Sequence, residues 1–145
     1  MPSYYPSDRA IAAVVAGFLD RSMPKAEWSH AAHFATTLWL LRHEPARDLP
    51  QTMPGLIRGY NEAVGGVNSD TAGYHETITQ ASIRAARDFL SGRAADEPLH
   101  ASVDALMAGA LGQPDWLLAY WSRARLLSVD ARRGWVGPDL DALPF

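Results

Sequence analysis

The sequence contains no cysteine. Disulfides and thiolate metal sites are therefore excluded, and imidazole, carboxylate and water are the only ligands a metal ion would find here. An excess of basic charge is also missing: 13 Lys and Arg face 16 Asp and Glu, and the basic residues are scattered rather than striped. Such a chain has no electrostatic footprint for nucleic acid or for an anionic membrane surface. No apolar run approaches the roughly 20 residues of a membrane span. The opening Met1-Pro2-Ser3-Tyr4-Tyr5-Pro6 lacks the charged region and apolar stretch of a secretory signal, so the expected location is cytoplasmic. Strand-like alternation, internal repeats and low-complexity blocks are absent as well.

What remains is a chain of 145 residues with 48% apolar content, enough for one domain with a core of its own. Behind Ser7, a fit N-cap, Ile11, Val14, Val15 and Phe18 recur at helical spacing. A second helix is expected over residues 29–43 with Ser29 as its cap; an earlier start capped by Ser22, with Pro24 in the first turn, is the alternative. Met53, Leu56, Ile57, Tyr60 and Val64 mark a third helix over residues 48–64, stopped by Gly65 and Gly66. A fourth is read over residues 74–90, capped by Asp70 or Thr71, with Asn68 as a turn residue and Gly92 at the end. Pro98 opens a fifth, with Leu99, Val103, Leu106, Met107 and Ala110 as its stripe. A sixth is expected over residues 115–127, and Ser128 caps one last short turn. Residues 1–6 read as an N-terminal arm and residues 134–145 as an extended tail across the bundle. The fold expected is all-α, a single-domain irregular bundle of five to six helices.

Three histidines stand out. On a helix, His30, His33, Phe34, Thr37 and Leu41 share one face, and His75 shares another with Ile78, Thr79, Ser82, Ala86 and Phe89. If helices two, three and four run up, down and up, the starts of two and four lie at one end. His30, His33 and His75 then meet around one divalent ion, Zn first, with Fe, Mn, Ni or Cu as alternatives. The competing reading of each is a hydrogen-bonded core histidine. His43 and His100 read as solvated surface residues.

Three neutral ligands leave a metal an open position that activates water. Glu27 and Glu76 are the candidate bases, with two alternatives: a fourth ligand, or an acid held in a first turn by the helix dipole. Asn61 reaches the same end of the bundle. Trp28 and Tyr74 stand just before the candidate ligands, where a ring covers a site and excludes water. Arg123 and Arg125 suit a substrate carboxylate, or structural salt bridges.

The segments Trp28-Ser29-His30-Ala31-Ala32-His33, Gly73-Tyr74-His75-Glu76-Thr77 and Tyr120-Trp121-Ser122-Arg123-Ala124-Arg125-Leu126-Leu127-Ser128 together resemble a group of small bacterial proteins of unassigned function. Those proteins share the elements W-[ST]-H-x-x-H, G-Y-H-E-T and Y-x-S-R-x-R-L-x-S, and the likeness covers most of the chain. It implies that the histidines act as one unit and supplies no substrate. A looser likeness to DinB-like bundles, which hold a divalent metal with three histidines, extends to architecture only, because their histidine order differs.

Two functions from different classes follow. One is a metal-dependent enzyme acting on a small molecule, hydrolytic or lyase-like, with oxygen chemistry favoured if the ion is Fe(II) on two histidines and a carboxylate. The other is a non-catalytic helical module that binds a small ligand or a protein, with a structural metal or none. A homodimer is left open by either.

Overall fold

A computed structural model describes residues 3–145, so Met1 and Pro2 of the expected N-terminal arm lie outside the described residues. The Ser7 side chain accepts the Ala10 N–H and starts α1, Asp8–Leu19, which buries Ile11, Val15 and Phe18. Arg21, at φ 64°, turns the chain back: the Ser22 and Met23 N–H groups both reach the Gly17 carbonyl. A single 3-10 turn at Lys25–Glu27 follows, and Ser29 then caps α2, His30–His43, by accepting from Ala32. The helix therefore starts late, and the alternative start at Ser22 is not used. Because Glu27 belongs to a separate turn, it does not continue the face of His30.

Helix α2 packs against α1, α4 and α5 and is buried on most sides. Each of its fully enclosed large side chains, such as Leu38 and Leu40, contributes roughly 1.5–3 kcal/mol of burial. The next helix, α3, spans Leu49–Ala63 and carries Pro54 in its interior. Proline has no N–H to give the carbonyl four residues back. That carbonyl, Pro50, instead accepts the Gln80 side-chain amide at 2.9 Å from α4, Glu76–Ser91. A helix defect thus becomes a bond between helices.

Helix α5, Leu99–Ala108, begins after Pro98 and is capped from a distance: the Asp8 carboxylate accepts the N–H groups of Leu99 and His100 and pairs with the His100 ring at 2.7 Å. The expected sixth helix is broken in two. Residues Trp116–Ala119 make a 3-10 turn, and Ser122, extended at φ −63° and ψ 151°, caps a short α6, Arg123–Leu126. A serine whose hydroxyl captures the Arg125 N–H competes with continuation of the helix, and here it wins. Ser128 caps the last helix, α7, Val129–Arg133.

Trp121 is fully buried between these pieces, and its indole N–H holds the Val136 carbonyl. Residues 134–145 carry no helix and are tied down by the Leu140 N–H on Tyr120 and by the Arg125 side chain on Gly137. The protein is all-α: seven helices, five of them ten residues or longer, with no strand among the described residues. No helix among them is long and apolar enough to cross a membrane.

Candidate ligand cavity

A cavity of about 570 Å³ opens between α2, α3, α4 and the loop of residues 66–74. Its walls are mainly apolar, with Phe34 from α2, Met53, Ile57 and Val64 from α3, and Ile78 and Ile83 from α4. His33, Asn61, Tyr74, Thr79 and Ser82 interrupt that surface.

One side is an aromatic stack fixed by the first loop. Trp28 lies between Phe18, at 4.5 Å, and the His33 ring, at 4.0 Å. Tyr60 packs against both Phe18 and Trp28 and donates its hydroxyl to the Met23 carbonyl at 2.8 Å. The loop that turns at Arg21 is therefore held in register with α3.

The opposite side is set by the turn before α4. Gly73 has φ +80°, and a Cβ there would collide with the Val67 carbonyl and the Asn68 side chain, so only glycine fits. Asn68 organises the loop: its Oδ1 accepts from the Tyr74 N–H and the Asn61 amide, and its Nδ2 donates to the Arg58 carbonyl. Tyr74 is buried, with the Arg58 guanidinium 4.4 Å above its ring and its hydroxyl donated to Glu76 at 2.5 Å. Burial and the acceptor carboxylate push that phenol well above its ordinary range, so it remains the donor. From the far side, Arg132 donates to the carbonyls of Gly73 and Tyr74, and Arg133 pairs with Asp70 through two bonds. Asp70 is thus engaged with α7. Neither it nor Thr71 caps α4.

The cap of α4 is His75. Its Nδ1 accepts the Ile78 N–H at 3.2 Å, and its Nε2 meets the Leu126 carbonyl at 2.7 Å. An acceptor at Nδ1 fixes the proton on Nε2, so the ring is the neutral Nε2–H tautomer with both nitrogens occupied by backbone. Burial lowers its pKa in keeping with that role.

The three histidines consequently have three different surroundings. Helices α2 and α4 are neighbours, and His33 and His75 border the same cavity. His30 does not: its Nε2 meets the Leu111 carbonyl at 2.8 Å, and its ring packs edge-on to Phe34. The three imidazoles are not gathered around one point among the described residues, because His30 lies off the cavity and both nitrogens of His75 are engaged by backbone. Among the described residues no group of three histidine, aspartate or glutamate side chains is gathered as a metal-ligand set.

His33 alone has no side-chain hydrogen bond to the described residues, and its ring surface is open to the cavity. Water reaches the ring through that opening, while protein surrounds it on its other sides. Desolvation, with the nearby His30 second, lowers its pKa to about 4. His33 is therefore a neutral imidazole at pH 7, offering one N–H and one lone pair to whatever enters.

The other expected site residues are placed as follows. Glu27 is exposed on its turn and does not border the cavity. Glu76 accepts from Tyr74 and from Gln80 and lies behind the cavity wall. Arg123 and Arg125 are exposed near the tail, Arg125 holding Gly137, and neither borders the cavity. His43 stacks on Trp39, and His100 pairs with Asp8. Lys25, which sequence reasoning passed over, is the one side chain with a full charge on the cavity lining. Its signal was a lysine between Pro24 and Trp28, in a segment too short for a helical face.

The segment of residues 73–77 is tied to the chain's last stretch. His75 binds Leu126, Thr77 binds the Gly134 carbonyl and the Val136 N–H, and Arg132 binds the carbonyls of Gly73 and Tyr74. No family model, curated protein or solved structure matches this chain.

Proposed function

We propose that this protein binds a small, largely apolar organic molecule in the cavity between α2, α3 and α4, with His33 as the polar group that orients it. The observation that carries the reading is His33 itself. It is an imidazole with no side-chain partner among the described residues, on a cavity otherwise walled by Phe34, Met53, Ile57, Val64 and Ile78. A mostly apolar pocket of several hundred Å³ with a few convergent polar groups is the usual form of a small-molecule site. A neutral imidazole in such a place donates or accepts one hydrogen bond and, toward an acidic ligand proton, acts as a base. The remaining motif residues support the site by fixing its walls.

The test is a titration of untagged protein with N-phenyl-1-naphthylamine, a neutral dye that fluoresces in apolar surroundings, beside a Ser82→Phe variant whose ring fills the cavity. Saturable binding near one dye per chain, lost in Ser82→Phe while far-UV circular dichroism is unchanged, supports the reading. Absent or unaltered binding overturns it. Metal analysis of the same preparation by plasma mass spectrometry reads the rival: about one equivalent of a transition metal, lost in His33→Ala, would replace this proposal with a metal-centred one.

A further inference from the structure

We infer that the cavity selects an amphipathic organic monoanion, a carboxylate on an apolar body; the inference rests on the cavity being a ligand site and adds the sign of the ligand's charge. Charge distribution is the argument. The chain is acidic overall, at −3, yet no carboxylate lines the cavity and its one charged lining residue is Lys25. Lys25 is exposed on the 3-10 turn and forms no ion pair with the described residues. A second cation, Arg58, stands 4.4 Å over the ring of Tyr74, which is itself part of the lining, and it too forms no ion pair with the described residues.

The nearby acids stand outside the lining. Glu76 takes the Tyr74 hydroxyl and the Gln80 amide, and Glu62 accepts from the Asn68 amide. Glu27, close enough to act on Tyr60, is exposed on its turn. A ligand carboxylate on the Lys25 side would meet an ammonium and the N–H that a neutral His33 offers, while its apolar body lies against Met53, Ile57, Val64 and Ile78. A cationic amphiphile would meet Lys25 with no carboxylate on the lining to answer it, which is selection by repulsion.

The experiment compares decanoate, 1-decanol and decylammonium as competitors for bound N-phenyl-1-naphthylamine, in the parent and in Lys25→Gln. Decanoate is expected to displace the dye at about tenfold lower concentration than decanol, with decylammonium weakest. In Lys25→Gln the decanoate advantage shrinks severalfold while decanol is unchanged. Decanol equal to decanoate, or an advantage that persists in Lys25→Gln, overturns the anion inference and leaves the cavity reading standing. If none of the three displaces the dye, or the dye itself does not bind, both fall. Circular dichroism of Lys25→Gln, an exposed position, verifies that the fold is kept.

Discussion

Replacing His75 tests whether the GYHET element is built for structure. In His75→Ala the Ile78 N–H loses its cap, at about 1 kcal/mol. The Leu126 carbonyl loses the imidazole donor, adding about 1–3 kcal/mol for an acceptor left without its partner in a buried joint. The total is about 2–4 kcal/mol. At about 2.1 cal/mol/K per residue, a chain of 145 residues unfolds with roughly 0.3 kcal/mol/K, so Tm should fall by about 7–13 °C. His75→Asn separates the two bonds, because its side-chain oxygen restores the cap but does not reach Leu126; its Tm should fall between those of the parent and the alanine variant. Thermal and urea unfolding followed by far-UV circular dichroism give both numbers, and long-range nitrogen NMR of the ring reports the Nε2–H tautomer. Two results refute the reasoning: an alanine variant within about 2 °C of the parent, or a metal ion in the parent that is lost with His75, since a ring bonded to backbone at both nitrogens has no lone pair to give.

Two further predictions concern pH and the loop. His33, lowered to about 4, and His75, also lowered, resist protonation in the folded state, whereas the unfolded chain takes up those protons near pH 6.5. The unfolded state therefore binds more protons in that window, and the urea midpoint should decline as pH falls from about 6.5 toward 4; a midpoint that is flat or rises there contradicts the neutral-imidazole assignments. Gly73→Ala should cost about 1–3 kcal/mol, because it adds a Cβ at φ +80° against Asn68 and Val67. Gly65→Ala, at φ +89° with open space around it, should cost less, and equal urea midpoints for the two would remove the packing role given to Asn68.

The parts of the fold that were legible in the sequence are those governed by local rules. Ser7, Ser29 and Ser128 cap the helices they precede because the signal and the bond lie within three residues. The bundle's main helices follow from apolar spacing, and the adjacency of α2 and α4 follows from short connections. Misreadings arose where a residue had a distant partner. Asp70 has the look of a cap, but Arg133 holds it in two bonds, and no local pattern announces a partner 63 positions away. The aromatic run around Ser122 satisfies a helical period, yet Ser122 is extended and its hydroxyl caps a new helix instead of continuing the old one.

The histidines show the same division at the level of the site. His33, placed by its position on α2, and His75, the extended cap of α4, both border one cavity. Whether an imidazole is free to act depends on its nitrogens, and Nε2 of His30 and of His75 is tied to the carbonyls of Leu111 and Leu126, 81 and 51 positions away. A free carbonyl is invisible in a sequence, because every residue carries one. Three histidines that look alike as a motif therefore resolve into two backbone ties and one unclaimed ring. The unclaimed ring is the one that the stack on Trp28 aims into open space. His33 keeps its side-chain nitrogens unengaged by the described residues on an otherwise largely apolar wall, while the other two motif histidines are tied to backbone carbonyls, and that contrast is why we propose a ligand there.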